Sequence, residues 1–168
     1  PATIGVMTHR ARAIRCGVTG TAALLMAVTG TGGSVVAQAG KRVYISVDME
    51  GISGVAGEDQ VAAGAAEYGR SRKLMAADAN AAIVGAFAGG ATEVVVNDSH
   101  GGQRNLLPED LDPRARLISH SFKPYGMVQG LDDSFDAVLF VGYHAKASTP
   151  AGLFAHTGSG VVADVEVN

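Results

Sequence analysis

Three short apolar runs decide what this chain can fold into, because each is uncharged and each gives way at once to ligand-type side chains. Residues 43–47 lead into Asp48-Met49-Glu50-Gly51, residues 94–96 into Asn97-Asp98-Ser99-His100, and residues 138–141 into Gly142-Tyr143-His144. Continuous rather than alternating apolar runs mark strands buried on both faces, as in a parallel sheet. In an open α/β sheet the loops leaving the carboxyl ends of the strands share one edge, where ligands bind. Two carboxylates and two imidazoles delivered to that edge are donors for one divalent metal, or two.

The intervening stretches agree with that class. Strands are expected over residues 42–48, 92–97 and 137–142, with a smaller one at 116–119. From about residue 65 to 88 the pattern is helical: Met75, Ala79, Ile83 and Phe87 recur every four residues, Arg72, Asp78 and Asn80 lie off that stripe, and Gly89-Gly90 supplies a stop. Residues 51–60 read as a Gly- and Ala-rich loop, 106–111 as a short helical turn, and 130–135 as a turn or short helix. The expected fold is α/β, a three-layer, mostly parallel sheet with helices on both faces. The run 160–168 is strand-like and ends without a turn, so the chain is expected to be an N-terminal fragment of a longer fold.

The first 39 residues stand apart. Met7 reads as the start, with residues 1–6 as upstream read-through. His9, Arg10, Arg12 and Arg15 then precede a stretch without charge from Cys16 to Gly40, which passes through Ala37-Gln38-Ala39. A basic start, an apolar centre and a small-x-small end describe a secretory signal peptide; a retained membrane anchor is the competing reading. Cleavage after Ala39 would leave 168 − 39 = 129 residues, residues 40–168, as one α/β domain, with ten basic and sixteen acidic side chains, a net charge of 10 − 16 = −6. So acidic a domain is a poor nucleic-acid binder, and contact with a membrane is expected only through the export signal. The single cysteine leaves with the leader, which excludes disulfides and thiolate chemistry from the exported part.

Asp48 and Glu50 are two apart, so in a strand they would address one face. With His100 and His144 they suit zinc, and the oxygen-rich set leaves manganese or cobalt open. His156 follows His144 by twelve residues and reads as a further ligand, a general acid/base or a loop residue. No Gly-x-Ser-x-Gly elbow surrounds Ser99, Ser148 or Thr149, and no phosphate loop follows Gly51-Ile52-Ser53-Gly54. His120 reads as a surface residue.

Taken together, Ser46-Val-Asp-Met-Glu-Gly-Ile-Ser-Gly54, Val96-Asn-Asp-Ser-His100, the segment from Met127 through Asp133, Gly142-Tyr-His-Ala-Lys-Ala-Ser-Thr-Pro150 and Ala155-His-Thr157 resemble the DppA-type D-aminopeptidases of peptidase family M55. The resemblance implies a zinc-dependent aminopeptidase, with two ions in the full-length protein, that releases N-terminal D-amino acids from short peptides such as D-Ala-D-Ala. It also implies a large ring-like homo-oligomer. By position, Asp48, Glu50, His100 and His144 match the family's metal ligands and His156 its catalytic residue. A further ligand, a Glu in a Gly-Glu pair, is expected beyond Asn168; Glu166 lacks the preceding Gly. An exported binding protein without catalysis and a metal-dependent amidase for another small substrate are the alternatives.

Overall fold

The structure, a computed structural model, describes residues 40–157. The leader and the run 160–168 lie outside the described residues. Four strands, β1 (Lys41–Val47), β2 (Ala91–Asp98), β3 (Arg116–Ile118) and β4 (Ala137–Val141), form one sheet in the order β3-β2-β1-β4, and every pair is parallel. The register matters more than the order. Val47 pairs with Asp98 on one side and with Val141 on the other, so β1, β2 and β4 end on one level. Asp48, Glu50, His100 and His144 all lie within three residues of that level. The apolar runs therefore set the position of the candidate site.

The long helix α2 (Tyr68–Ala88) crosses one face of the sheet and buries Met75, Ala76, Ala79 and Ile83 against Val43, Ile45, Val47, Val94 and Val96. Small Ala side chains let helix and sheet approach closely. Each fully buried Ile or Val adds about 1.5–3 kcal/mol over its exposed state. Gly90, at φ +93°, ends the helix in the left-handed conformation that glycine tolerates, and its N–H reaches the Phe87 carbonyl. The helix begins three residues later than its pattern suggests. Gly64 sits at φ +88°, and residues 62–67 close turns around it that an α-helix cannot contain.

A second, one-turn helix, α1 (Glu58–Val61), interrupts what reads as loop. The Gln60 side-chain oxygen accepts the N–H groups of Ala56 and Gly57, which steadies its entry. On the face opposite α2 the described residues show no α-helix. There the segment with a 3-10 turn at Gly126–Val128, together with Phe135, covers Tyr44 and Ser46: the Tyr44 hydroxyl donates to the Gln129 carbonyl, and the Tyr44 and Phe135 rings meet edge to face at 5.3 Å. Among the described residues β4 is an edge strand, with Phe140 58% exposed. No helix among the described residues is long and apolar enough to cross a membrane.

Candidate metal centre

Asp48 leaves β1 with its N–H donated to the Val141 carbonyl at 2.8 Å, which holds it against β4. Met49 then drops into the core, fully buried, and the Gly51 N–H donates to the Gly142 carbonyl at 2.7 Å. The chain has already left the strand at this point, so the two carboxylates share a site because the backbone turns around a buried methionine. The period-two argument reaches the right outcome by the wrong geometry. A side chain at Gly51 would strike the Tyr143 carbonyl, and one at Gly142 the Asp48 carbonyl, so glycine at both positions lets the loops meet.

On the other side the Ser99 N–H donates to the Val47 carbonyl at 2.8 Å. Asp98 does not face the site. Its carboxylate accepts the N–H groups of Asn105 and Leu106 and the Asn105 side-chain amide, while that amide also reaches the His100 carbonyl at 2.6 Å. The loop that carries His100 is thereby closed on itself. The His100 Nδ1 lies 3.0 Å from Glu50 Oε2 and 3.3 Å from Asp48 Oδ1, and its Nε2 donates to the Val61 carbonyl at 2.9 Å. One ligand atom from each of Asp48, Glu50 and His100 falls within 4.8 Å of the others, and all three residues are buried.

His144 and His156 complete the picture from the β4 side. The His144 Nδ1 donates to the Ala145 carbonyl at 2.8 Å, leaving Nε2 3.8 Å from Asp48 Oδ2. The His156 ring stacks on that of His144 at 3.6 Å, nearly parallel, with its own Nδ1 on the Phe154 carbonyl at 2.6 Å. His156 is exposed where His144 is half-buried. A cavity of about 440 Å³ is lined by Asp48, Glu50, His100, His144, His156 and Met127, among others. That volume suits a small-molecule or short-peptide ligand. His120, bonded to Ser119, is exposed and does not line this cavity.

The electrostatics are those of a cation site. Burial pushes the Asp48 carboxyl up and opposes charge on Glu50, but hydrogen bonds with His100 and Asp48 hold Glu50 down at about 2. Burial also opposes charge on His100, yet its bonds to Asp48, Glu50 and the Val61 carbonyl outweigh that and push it up to about 10. Among the described residues the ion pairs of Asp48 and Glu50 are with imidazoles alone. A protonated His100 is thus the positive charge between two buried carboxylates. A divalent metal fits the same place: with Nε2–H fixed on the Val61 carbonyl, a neutral His100 turns its Nδ1 lone pair toward both acids.

Some residues beside the site are not ligand types, and the spacing of the donors does not point to them. Ser46, Asn97, Ser99 and Tyr143 form a buried hydrogen-bonded knot beneath the ligands, and the Lys123 ammonium donates to the Asn97 side-chain oxygen and to the Asp98 carbonyl. Burial lowers the Lys123 pKa. A small polar residue inside an apolar strand, such as Ser46, was the one available hint.

A parallel α/β sheet with carboxylates and imidazoles gathered at the carboxyl ends of its strands defines the class, that of an α/β protein with a candidate metal site. The chain belongs to the D-aminopeptidase family, peptidase family M55, which matches it over residues 41–168. It is 52% identical over 116 residues to a D-aminopeptidase of Bacillus subtilis (strain 168), an alignment covering 69% of this chain and 42% of that protein. Its fold is similar, with a TM-score of 0.70 and 50% identity, to the Zn-dependent D-aminopeptidase DppA from Bacillus subtilis, described as a self-compartmentalizing protease. The match covers 73% of this chain and 44% of that one. The chain thus spans less than half the length of these relatives.

Proposed function

We propose that the full-length protein is a zinc-dependent aminopeptidase that hydrolyses short peptides with N-terminal D-amino acids, of the D-Ala-D-Ala type. The observation that carries this reading is the convergence of Asp48, Glu50 and His100 within 4.8 Å, with His144 beside them, in a chain of the D-aminopeptidase family. Asp48, Glu50, His100 and His144 would hold the metal. When bound, it supplies Lewis acidity toward a peptide carbonyl and makes water acidic enough to react near neutral pH.

The side chains around it handle the proton. The Phe154 carbonyl keeps a proton on His156 Nδ1, so Nε2 carries the lone pair. That nitrogen can take a proton from an attacking water and return it to the leaving amine, or attack the carbonyl itself. His144, tied to the Ala145 carbonyl, keeps its Nε2 toward Asp48 and holds the His156 ring by stacking. Export after cleavage near Ala39, with residues 40–168 beginning the mature enzyme, rests on the leader pattern. Assembly into a homo-oligomer rests on the similarity to a self-compartmentalizing relative.

The test is metal analysis and peptide hydrolysis on the full-length protein. Bound zinc, and cleavage of D-Ala-D-Ala well ahead of L-Ala-L-Ala that stops on chelation and returns with zinc, is the expected result. Hydrolysis indifferent to chelator, or no preference for the D-peptide, sinks the reading.

A further inference from the structure

Beneath the ligands lies a cluster of side chains that touches no candidate ligand atom yet joins every ligand-bearing strand. Ser46 is fully buried on β1 and two residues ahead of Asp48. Its hydroxyl oxygen lies 2.6 Å from the Ser99 hydroxyl, 2.6 Å from the Tyr143 hydroxyl and 2.6 Å from the Met127 carbonyl. Ser99 immediately precedes His100, and Tyr143 immediately precedes His144. Met127 belongs to the segment over the opposite sheet face and lines the cavity. One oxygen thus meets groups from the ends of β2 and β4 and from the covering segment.

Each hydroxyl has a single hydrogen, and the Met127 carbonyl is the one partner of Ser46 that can only accept. That carbonyl lies within reach of both serine hydroxyls, Ser46 at 2.6 Å and Ser99 at 3.1 Å, and either oxygen of the Ser46–Ser99 and Ser46–Tyr143 pairs can donate. The Asn97 amide donates to the Ser99 oxygen at 3.0 Å and to the Met127 carbonyl at 2.8 Å. Asn97 is fully buried and Ser99 nearly so. Removing the Ser46 hydroxyl would take away the contact that Ser99 and Tyr143 share, leaving Ser99 its bonds to Asn97 and Met127.

We propose that Ser46 is a positioning residue, the hub that fixes the tips of β1, β2 and β4 relative to one another and so sets the geometry of the metal centre. This rests on the reading of Asp48, Glu50, His100 and His144 as ligands. The ladder bonds at Asp48 and Ser99 hold the strands in register and the Gly51 N–H ties β1 to β4 beyond them, but none of these links all three tips at one point. The hydroxyl knot supplies that constraint, one residue short of each imidazole. Outer groups that orient ligands are worth about 10–100-fold in metal affinity when lost.

The experiment uses the full-length protein with cobalt(II) in place of zinc, read by its visible absorption spectrum, and zinc affinity measured by chelator competition. Ser46→Ala should keep cobalt stoichiometry and far-ultraviolet circular dichroism, alter the cobalt spectrum, and weaken zinc by about tenfold or more. Ser46→Thr should return both toward the parent. Tyr143→Phe removes one spoke and leaves the hub satisfied, so a smaller spectral change in the same direction is expected. Added to Ser46→Ala it should cost less than its separate effect, because the two substitutions delete one shared bond. If Ser46→Ala does not fold, Tyr143→Phe carries the test. A parent-like spectrum and affinity in the soluble variants overturns the positioning role and leaves the ligand assignment standing. A parent protein that takes up no cobalt overturns both.

Discussion

The two imidazoles nearest Asp48 arrive from opposite flanks of β1, and they are held in different ways. His100 comes from β2, where the last five residues are buried, and it is fixed at both ring nitrogens, by Glu50 and Asp48 on one side and Val61 on the other. His144 comes from β4, the edge strand among the described residues, has one fixed nitrogen, and lies 3.8 Å from Asp48 with an exposed imidazole stacked on it. The β2 flank is a finished half-site before any metal arrives. Among the described residues the β4 flank has fewer bonds to its imidazoles, although the His144 side chain is nearly as buried as that of His100, 13% against 11% exposed.

That contrast can be broken experimentally, and the β2 flank should respond most. Asp48→Ala removes the carboxylate that both imidazoles face, and His100→Ala removes the imidazole held between both acids. Each should abolish stoichiometric zinc in the full-length protein, a loss beyond the about 10–100-fold typical of outer groups. His144→Ala should cost less affinity than His100→Ala; the reverse order, measured by chelator competition, would mean that the β4 side dominates binding. His156→Ala should leave zinc content unchanged and lower kcat by about 10²–10⁴, the usual worth of a positioned proton carrier. Loss of zinc in that variant would make His156 a ligand.

Two smaller effects sharpen the same division. In the metal-free site His100 keeps its proton up to about pH 10, and a metal must displace it. Apparent zinc affinity should therefore rise with pH, by about tenfold per unit for one displaced proton, between about pH 6 and 8. A flat profile would take His100 out of the first coordination sphere. Gly142→Ala tests the seam between the flanks. Gly142 sits at φ +70° with the Asp48 carbonyl where a side chain would go, so the substitution should cost more than about 1 kcal/mol in chemical unfolding and weaken zinc.

The sequence carried the strands and the positions of the candidate donors because both rest on local signals. Uncharged β-branched runs name strands within a residue or so, and the residue types just past them name the donors. What it withheld depends on through-space partners. The late start of α2 depends on turns around Gly64, and the turning of Glu50 toward His100 depends on Met49 finding the core. Asp98 looks as good a ligand as Asp48 in the sequence; only the backbone of Asn105 and Leu106, folded back onto it, shows that its carboxylate is already spent on the loop. The stack of His144 on His156, and the hub at Ser46, need the strands assembled before they exist at all.

The common level at which β1, β2 and β4 end has a consequence for how this scaffold can diversify. The donors ride within three residues of paired backbone, whereas the cavity wall around Gln103 and Met127 belongs to loops several residues further from any strand pair. Wall and donors are nevertheless joined: the Gln103 N–H donates to the His100 carbonyl, and the Met127 carbonyl accepts from Ser46 and Asn97, so a change in either loop is felt at the strand tips. A segment grafted between β3 and β4 should therefore keep the donors in place only if it still presents a carbonyl where Met127 does, so that the shape of the cavity and the geometry of the donors are inherited together.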